Sequence, residues 1–108
     1  MVVAHKELNV RLDPEQVRVI KQVGQQVLGE GTRVVLFGSR VSDHALGGDI
    51  DLLYESPRPI PRPAVAVCDL YGALVMQLGD QKIDVLVKDP TMTLAPVMQR
   101  ALRNGVAL

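Results

Sequence analysis

Three short apolar runs limit what this 108-residue chain can fold into. They are "RVVLF" at 33–37, "IDLLY" at 50–54 and "KIDVLV" at 82–87. Runs of this length, rich in Val, Ile and Leu, are strands rather than helices. The first is apolar at successive positions, as a strand is when both faces of its sheet are covered, and the second reads similarly. The third alternates, with Ile83, Val85 and Val87 on one face and Asp84 and Leu86 on the other.

Helical patterns fill the intervals. In "LDPEQVRVIKQVGQQVLGEG", Asp13 is a cap, Pro14 suits the first helical position and Gln16 sits where a capping-box partner would. Val17, Ile20, Val23 (or Gly24), Val27 and Leu28 follow at helical spacing, and Gly29 and Gly31 end the run. A second helix is expected over Ala64–Leu78, with Val67 or Cys68, Tyr71, Val75 and Leu78 inward. A last one covers Leu94–Asn104, which Pro96 permits only from its first turn. Arg40–Leu46 has room for a short helix. "SPRPIPRP", with four prolines in eight residues, is an extended loop, read as a surface connector rather than as a target for a proline-reading partner. The order α-β-α-β-α-β-α predicts a small α/β sandwich spanning residues 1–108 as a single domain.

Composition removes several classes of function. Twelve basic and twelve acidic residues cancel, which argues against a protein that binds nucleic acid directly by neutralising phosphates. Phe37, Tyr54 and Tyr71 are too few aromatics for a base-stacking platform. The lone Cys68 suggests neither disulfide nor zinc site and is expected to be a packed core thiol. His5 and His44 have no ligand spacing and are read as surface residues. Arg58 and Arg62 are expected in solvent, with contact to a partner or nucleotide as the alternative. No secretory signal and no apolar run approaching the ~20 residues of a membrane span are visible, so a cytoplasmic location is expected.

The chemistry gathers between the first two strands, in "FGSRVSDHALGGDID". Asp49 and Asp51 are two apart on a predicted strand, so both point to one face, their Cα atoms about 6.5–7 Å apart. Ile50 and Leu52 point the other way, into the core. An isolated D-x-D is common at strand ends and marks nothing by itself. Here a third carboxylate, Asp84, interrupts the next strand, and all three converge if the two strands are neighbours. Carboxylates so close repel one another, and a divalent cation removes the conflict. Hard oxygen ligands favour Mg²⁺ or Mn²⁺ over zinc. Upstream, Gly38-Ser39 offers a backbone that a phosphate can approach, a hydroxyl, and N–H groups at the start of a helix.

"FGSR", then "DID", then "KIDVLV" resembles the DNA polymerase β-type nucleotidyltransferase superfamily, whose mark is hG-[GS], a spacer, D-h-[DE] and a later third acid. The short chain and its "QRALRNGVAL" ending look like the minimal nucleotidyltransferase (MNT) group. The resemblance runs from about Asp13 to the C-terminus. It implies a small mixed β-sheet of three to four strands flanked by helices. It also implies that Asp49, Asp51 and Asp84 are catalytic residues and ligands of two Mg²⁺ ions (or Mn²⁺), with Asp84 assisting proton removal from the attacking hydroxyl. Gly38 and Ser39 would hold the triphosphate of ATP. Arg40 would either neutralise a phosphate or pair with a surface acid. The spacer Val41–Leu46 departs from the family, many members of which have a glycine shortly after "GSR".

MNT proteins are typically paired with a HEPN-domain RNase toxin, so the resemblance implies an antitoxin in a toxin–antitoxin module. The expected activity is transfer of AMP from ATP to a hydroxyl, tyrosine foremost, of that HEPN partner, within a hetero-oligomer. The alternative is an antitoxin that neutralises its partner by binding alone. Transfer to a small molecule is disfavoured, because a chain of this length leaves little room for an acceptor-binding domain.

Overall fold

The computed structural model of the protein describes residues 12–38, 49–79 and 81–108. Among these residues, three helices and a four-stranded mixed sheet follow in the order α1 (Pro14–Leu28), β1 (Arg33–Phe37), β2 (Ile50–Glu55), α2 (Pro63–Leu78), β3 (Ile83–Lys88), α3 (Pro96–Asn104) and β4 (Val106–Ala107). This is the α/β (α+β) arrangement expected from the sequence. The short helix expected over Arg40–Leu46 lies outside the described residues.

The sheet order is β3-β2-β1-β4. β1 runs antiparallel to β2 and β4, whereas β2 and β3, joined through α2, run parallel. β2 is therefore central, with β1 and β3 at its sides. Strand alternation sends Val34, Leu36, Ile50, Leu52, Tyr54, Ile83 and Val87 to one face, where α1 and α2 cover them with Val17, Ile20, Val23, Leu70 and Leu74. The opposite face carries Val35, Leu53, Phe37 and Leu86 under Ala101 and Met98 of α3. Both faces of β1 and β2 are covered, which explains their unbroken apolar runs.

Helix α1 starts where its cap dictates. The Gln16 N–H donates to Asp13 Oδ1 at 2.8 Å, and the Gln16 side chain accepts from the Asp13 N–H at 3.0 Å, closing the capping box. Both Val23 and Gly24 are buried. Gly24 has a specific neighbour: a Cβ there would lie 2.7 Å from the Tyr54 ring. The absent side chain lets that ring pass the helix, and the Tyr54 hydroxyl donates to the Ile20 carbonyl at 2.8 Å. Burial raises the Tyr54 hydroxyl well above its ordinary pKa, so it stays a donor.

Three expectations need correction. In α2 the buried residues are Ala66, Leu70 and Leu74, whereas Cys68 and Tyr71 are exposed. Val67, Val75 and Leu78 do pack at the edge of the core. The helix is apolar around most of its circumference, so periodicity could not select the inner face. The last helix starts at Pro96, not Leu94, with Ala95 as its cap. After it, Val106 and Ala107 form a fourth strand beside β1, which the sequence reading left unassigned.

The proline-rich segment is fixed to the body of the protein. The Arg58 guanidinium donates to the carbonyls of Leu28 (2.9 Å) and Glu30 (2.5 Å), closing the C-terminal end of α1. The buried Asp89 carboxylate accepts from the Ile60 N–H (2.6 Å), the Thr91 N–H (2.8 Å) and the Thr91 hydroxyl (2.6 Å). These bonds hold its pKa below the usual carboxylate range. Arg58 is exposed, as expected, yet its guanidinium clamps the proline-rich segment to the end of α1.

Candidate functional site

The parallel register places Asp51 directly beside Asp84, and the antiparallel register places Phe37 on the other side of Asp51. All three belong to the α3 side of the sheet, at the end where β2 and β3 begin and β1 finishes. Asp49 precedes the first residue of β2 rather than lying within it. It nevertheless reaches the same point, and carboxylate oxygens of Asp49, Asp51 and Asp84 all lie within 4.8 Å of one another. The convergence expected from two separate sequence segments is present in the fold. It depends on β2 and β3 being parallel neighbours in this register, because a slip of one residue would turn Asp84 into the core.

The surrounding core fixes the backbone that carries these groups. Ile50, Leu52 and Ile83, which flank the acids in sequence, are 0–4% exposed on the opposite face. Asp49 and Asp51 are half-buried, and Asp84 is exposed, leaving the cluster open on one side.

Electrostatics follow from that geometry. Partial burial comes first in raising the Asp51 carboxyl. The hydrogen bond it shares with Asp84 and repulsion from Asp84 and Asp49 add to it, while Lys82 opposes, and the group is pushed up to about 6. The Lys82 ammonium lies 3.7 Å from Asp49 Oδ2, although its side chain is 77% exposed. The sequence reading passed over Lys82. Its signal was available only as a basic residue two positions before Asp84.

Gly38 closes the site from β1. Its φ of +76° favours glycine, and a Cβ built there would collide with the Asp51 carboxylate. The sequence reading assigned Gly38 to phosphate approach, and the geometry adds that no side chain fits between this turn and Asp51. Ser39, Arg40, the Val41–Leu46 spacer and Gly47-Gly48 lie outside the described residues.

The donor set fits a hard divalent cation: three carboxylates within mutual reach, one of them held protonated at mildly acidic pH by partial burial and by its acidic neighbours. A bound cation would be held by Asp49, Asp51 and Asp84, and it would remove the repulsion that raises Asp51.

At the opposite end of the sheet, a groove of about 490 Å³ runs between the end of α1, the proline-rich segment and the start of α2. No helix among the described residues is long and apolar enough to cross a membrane. No protein-family model matches this chain, and no curated protein matches it.

Proposed function

We propose that the protein is a minimal nucleotidyltransferase of the DNA polymerase β type. In this reading it transfers AMP from ATP to a hydroxyl of a partner protein in the cytoplasm. The observation that carries the reading is the meeting of Asp49, Asp51 and Asp84 beside a glycine turn that ends the neighbouring strand. A structural role explains it less well. Three acids that raise one another's energy at a sheet end contribute nothing to folding, whereas a cation site requires them.

The reaction assigned to the site is in-line displacement at the α-phosphorus. The acceptor oxygen forms a bond to that phosphorus, the bond to the β-phosphate bridge breaks, and pyrophosphate leaves. Divalent cations, when bound, offset the negative charge that gathers on the phosphate oxygens. Asp49 and Asp51 hold the cation positions, and the rigid β2 backbone keeps them in place without reorganisation. Asp84, the most exposed of the three, faces the open side and accepts the proton released by the attacking hydroxyl. Gly38, and by resemblance Ser39 and Arg40, serve the triphosphate.

The proposed partner is a HEPN-domain RNase toxin, neutralised by adenylylation of a tyrosine in a hetero-oligomer. The protein would then be the antitoxin of the pair. The test mixes it with ATP, Mg²⁺ and the product of its genomic neighbour, followed by intact-mass measurement of that product. A mass gain in AMP units that disappears with Asp49→Asn/Asp51→Asn is expected. Neutralisation without any mass gain, unchanged in the double variant, would replace transfer by an antitoxin that acts through binding alone.

A further inference from the structure

The outer face of α2 has no covering element among the described residues, although it is largely apolar. Val65, Asp69, Gly72 and Met76 recur at i, i+4, i+7 and i+11 and are all exposed, Val65 by 48% and Met76 by 86%. Cys68 borders the same stripe and is exposed as well. A helix apolar on both its inner and outer faces belongs in an interface rather than at a water boundary. A Cβ built on Gly72 would meet nothing within 4 Å, so a second backbone can approach closely there.

The N-terminal half of this stripe continues into the 490 Å³ groove. Arg62, Val65, Ala66 and Asp69 form one wall, and Val27, Leu28 and Ile60 lie among the residues of the others. Of its three charged members, Arg58 is bound to the Leu28 and Glu30 carbonyls, and the other two complement one another. Arg62, the N-cap residue of α2, and Asp69 within the helix stand seven residues apart with opposite sign, and neither forms an ion pair among the described residues.

The geometry points to a second copy of this chain as the occupant, seated two-fold with the N-terminal halves of α2 crossing antiparallel at Val65 and Ala66. In that register Arg62 of each copy meets Asp69 of the other, giving two reciprocal ion pairs around an apolar centre. Gly72 and Met76 then extend over the proline-rich segment of the opposite copy. Full overlap of the two helices is the competing register. It brings the two Asp69 carboxylates together near the axis, so like-charge repulsion selects the offset arrangement. A partner of unrelated sequence would have no reason to match this internal pairing of signs. One half-helix and one loop per copy is a small contact, at the low end of specific interfaces, so dissociation in the micromolar range is expected. The acid cluster lies at the other end of the sheet and stays open in such a dimer.

The test is sedimentation velocity of the full chain from about 1 μM to 1 mM. A concentration-dependent monomer–dimer equilibrium is expected. Arg62→Glu or Asp69→Arg alone should weaken it at least about tenfold, and the double exchange should restore it. Circular dichroism checks that each variant is folded. Val65→Cys in a Cys68→Ser background should oxidise to a covalent dimer, because the two Val65 positions meet at the axis, whereas Met76→Cys in that background should not. A chain that stays monomeric throughout this range would overturn the proposal and assign the face to a different protein. A dimer indifferent to both charge reversals, or not restored by the exchange, would overturn it equally.

Discussion

Asp51 and Asp84 are paired across the parallel strands β2 and β3, and the repulsion and shared hydrogen bond between them help raise the Asp51 carboxyl to about 6. The pairing has a measurable consequence in the absence of metal. Between the ordinary carboxylate value, near 3.8, and about 6, the folded protein keeps a proton that the unfolded chain has released. This group therefore lowers stability as pH rises through that window, and the loss persists above it. Asp51→Asn should stabilise the metal-free protein at pH 7 by about 1–2 kcal/mol, after allowance for solvent screening, and leave it unchanged near pH 3.5. Urea unfolding in EDTA at the two pH values checks both the sign and the window.

Asp89 should show the opposite sign. Its depressed carboxyl contributes stability that is complete above the ordinary carboxylate range and is lost as pH falls through the lower folded value. Asp89→Ala should destabilise the protein most at neutral pH and flatten the acid limb of the thermal unfolding curve. Cation binding at the other end of the sheet should remain unchanged.

Gly38→Ala tests the turn against the carboxylate it touches. The new methyl group meets Asp51 and the residue is held at a φ of +76°. A cost of about 1–2 kcal/mol follows from the backbone alone. The more specific expectation is a loss of Mn²⁺ affinity of about tenfold or more, because Asp51 must move, and Asp51 orientation sets the site. Calorimetric titration of the folded variant checks this against wild type.

The contact of Gly24 with Tyr54 makes a prediction about the core alone. Gly24→Ala gains up to about 1 kcal/mol in helix propensity but overpacks the ring at a cost of about 1–3 kcal/mol. Tyr54→Phe removes the hydrogen bond to Ile20 and costs about 1 kcal/mol. In the double variant the two costs should not add, since a ring displaced by the methyl group at position 24 also strains the hydroxyl's bond to Ile20. Chemical denaturation of the four proteins measures the coupling.

Much of this architecture was legible because local chemistry and global fold agree. Asp13, Pro14 and Gln16 mark the start of α1, and the apolar runs of β1 and β2 reflect a sheet covered on both faces. The acid cluster could be anticipated because carboxylates are conspicuous in apolar strands. Other features were hidden for physical reasons. Helix α2 is apolar nearly all round, so Tyr71 and Cys68 could not be told from inward residues. Val106 and Ala107 are too short a segment to show any periodicity, and only pairing with β1 makes them a strand. The clamp from Arg58 to Leu28 and Glu30 spans 30 and 28 residues, which no local pattern encodes. Lys82 became relevant only when the fold placed it 3.7 Å from Asp49.

The central claim is that Asp49, Asp51 and Asp84 are a cation site for a nucleotide. Titration of Mn²⁺ into the protein by electron paramagnetic resonance, with and without a non-hydrolysable ATP analogue, tests it most directly. Saturable binding that tightens with the analogue is predicted, weakened about tenfold or more by Asp84→Asn and abolished by Asp49→Asn/Asp51→Asn. Mn²⁺ binding that is equal in wild type and the double variant, or absent from wild type at millimolar Mn²⁺, would contradict it.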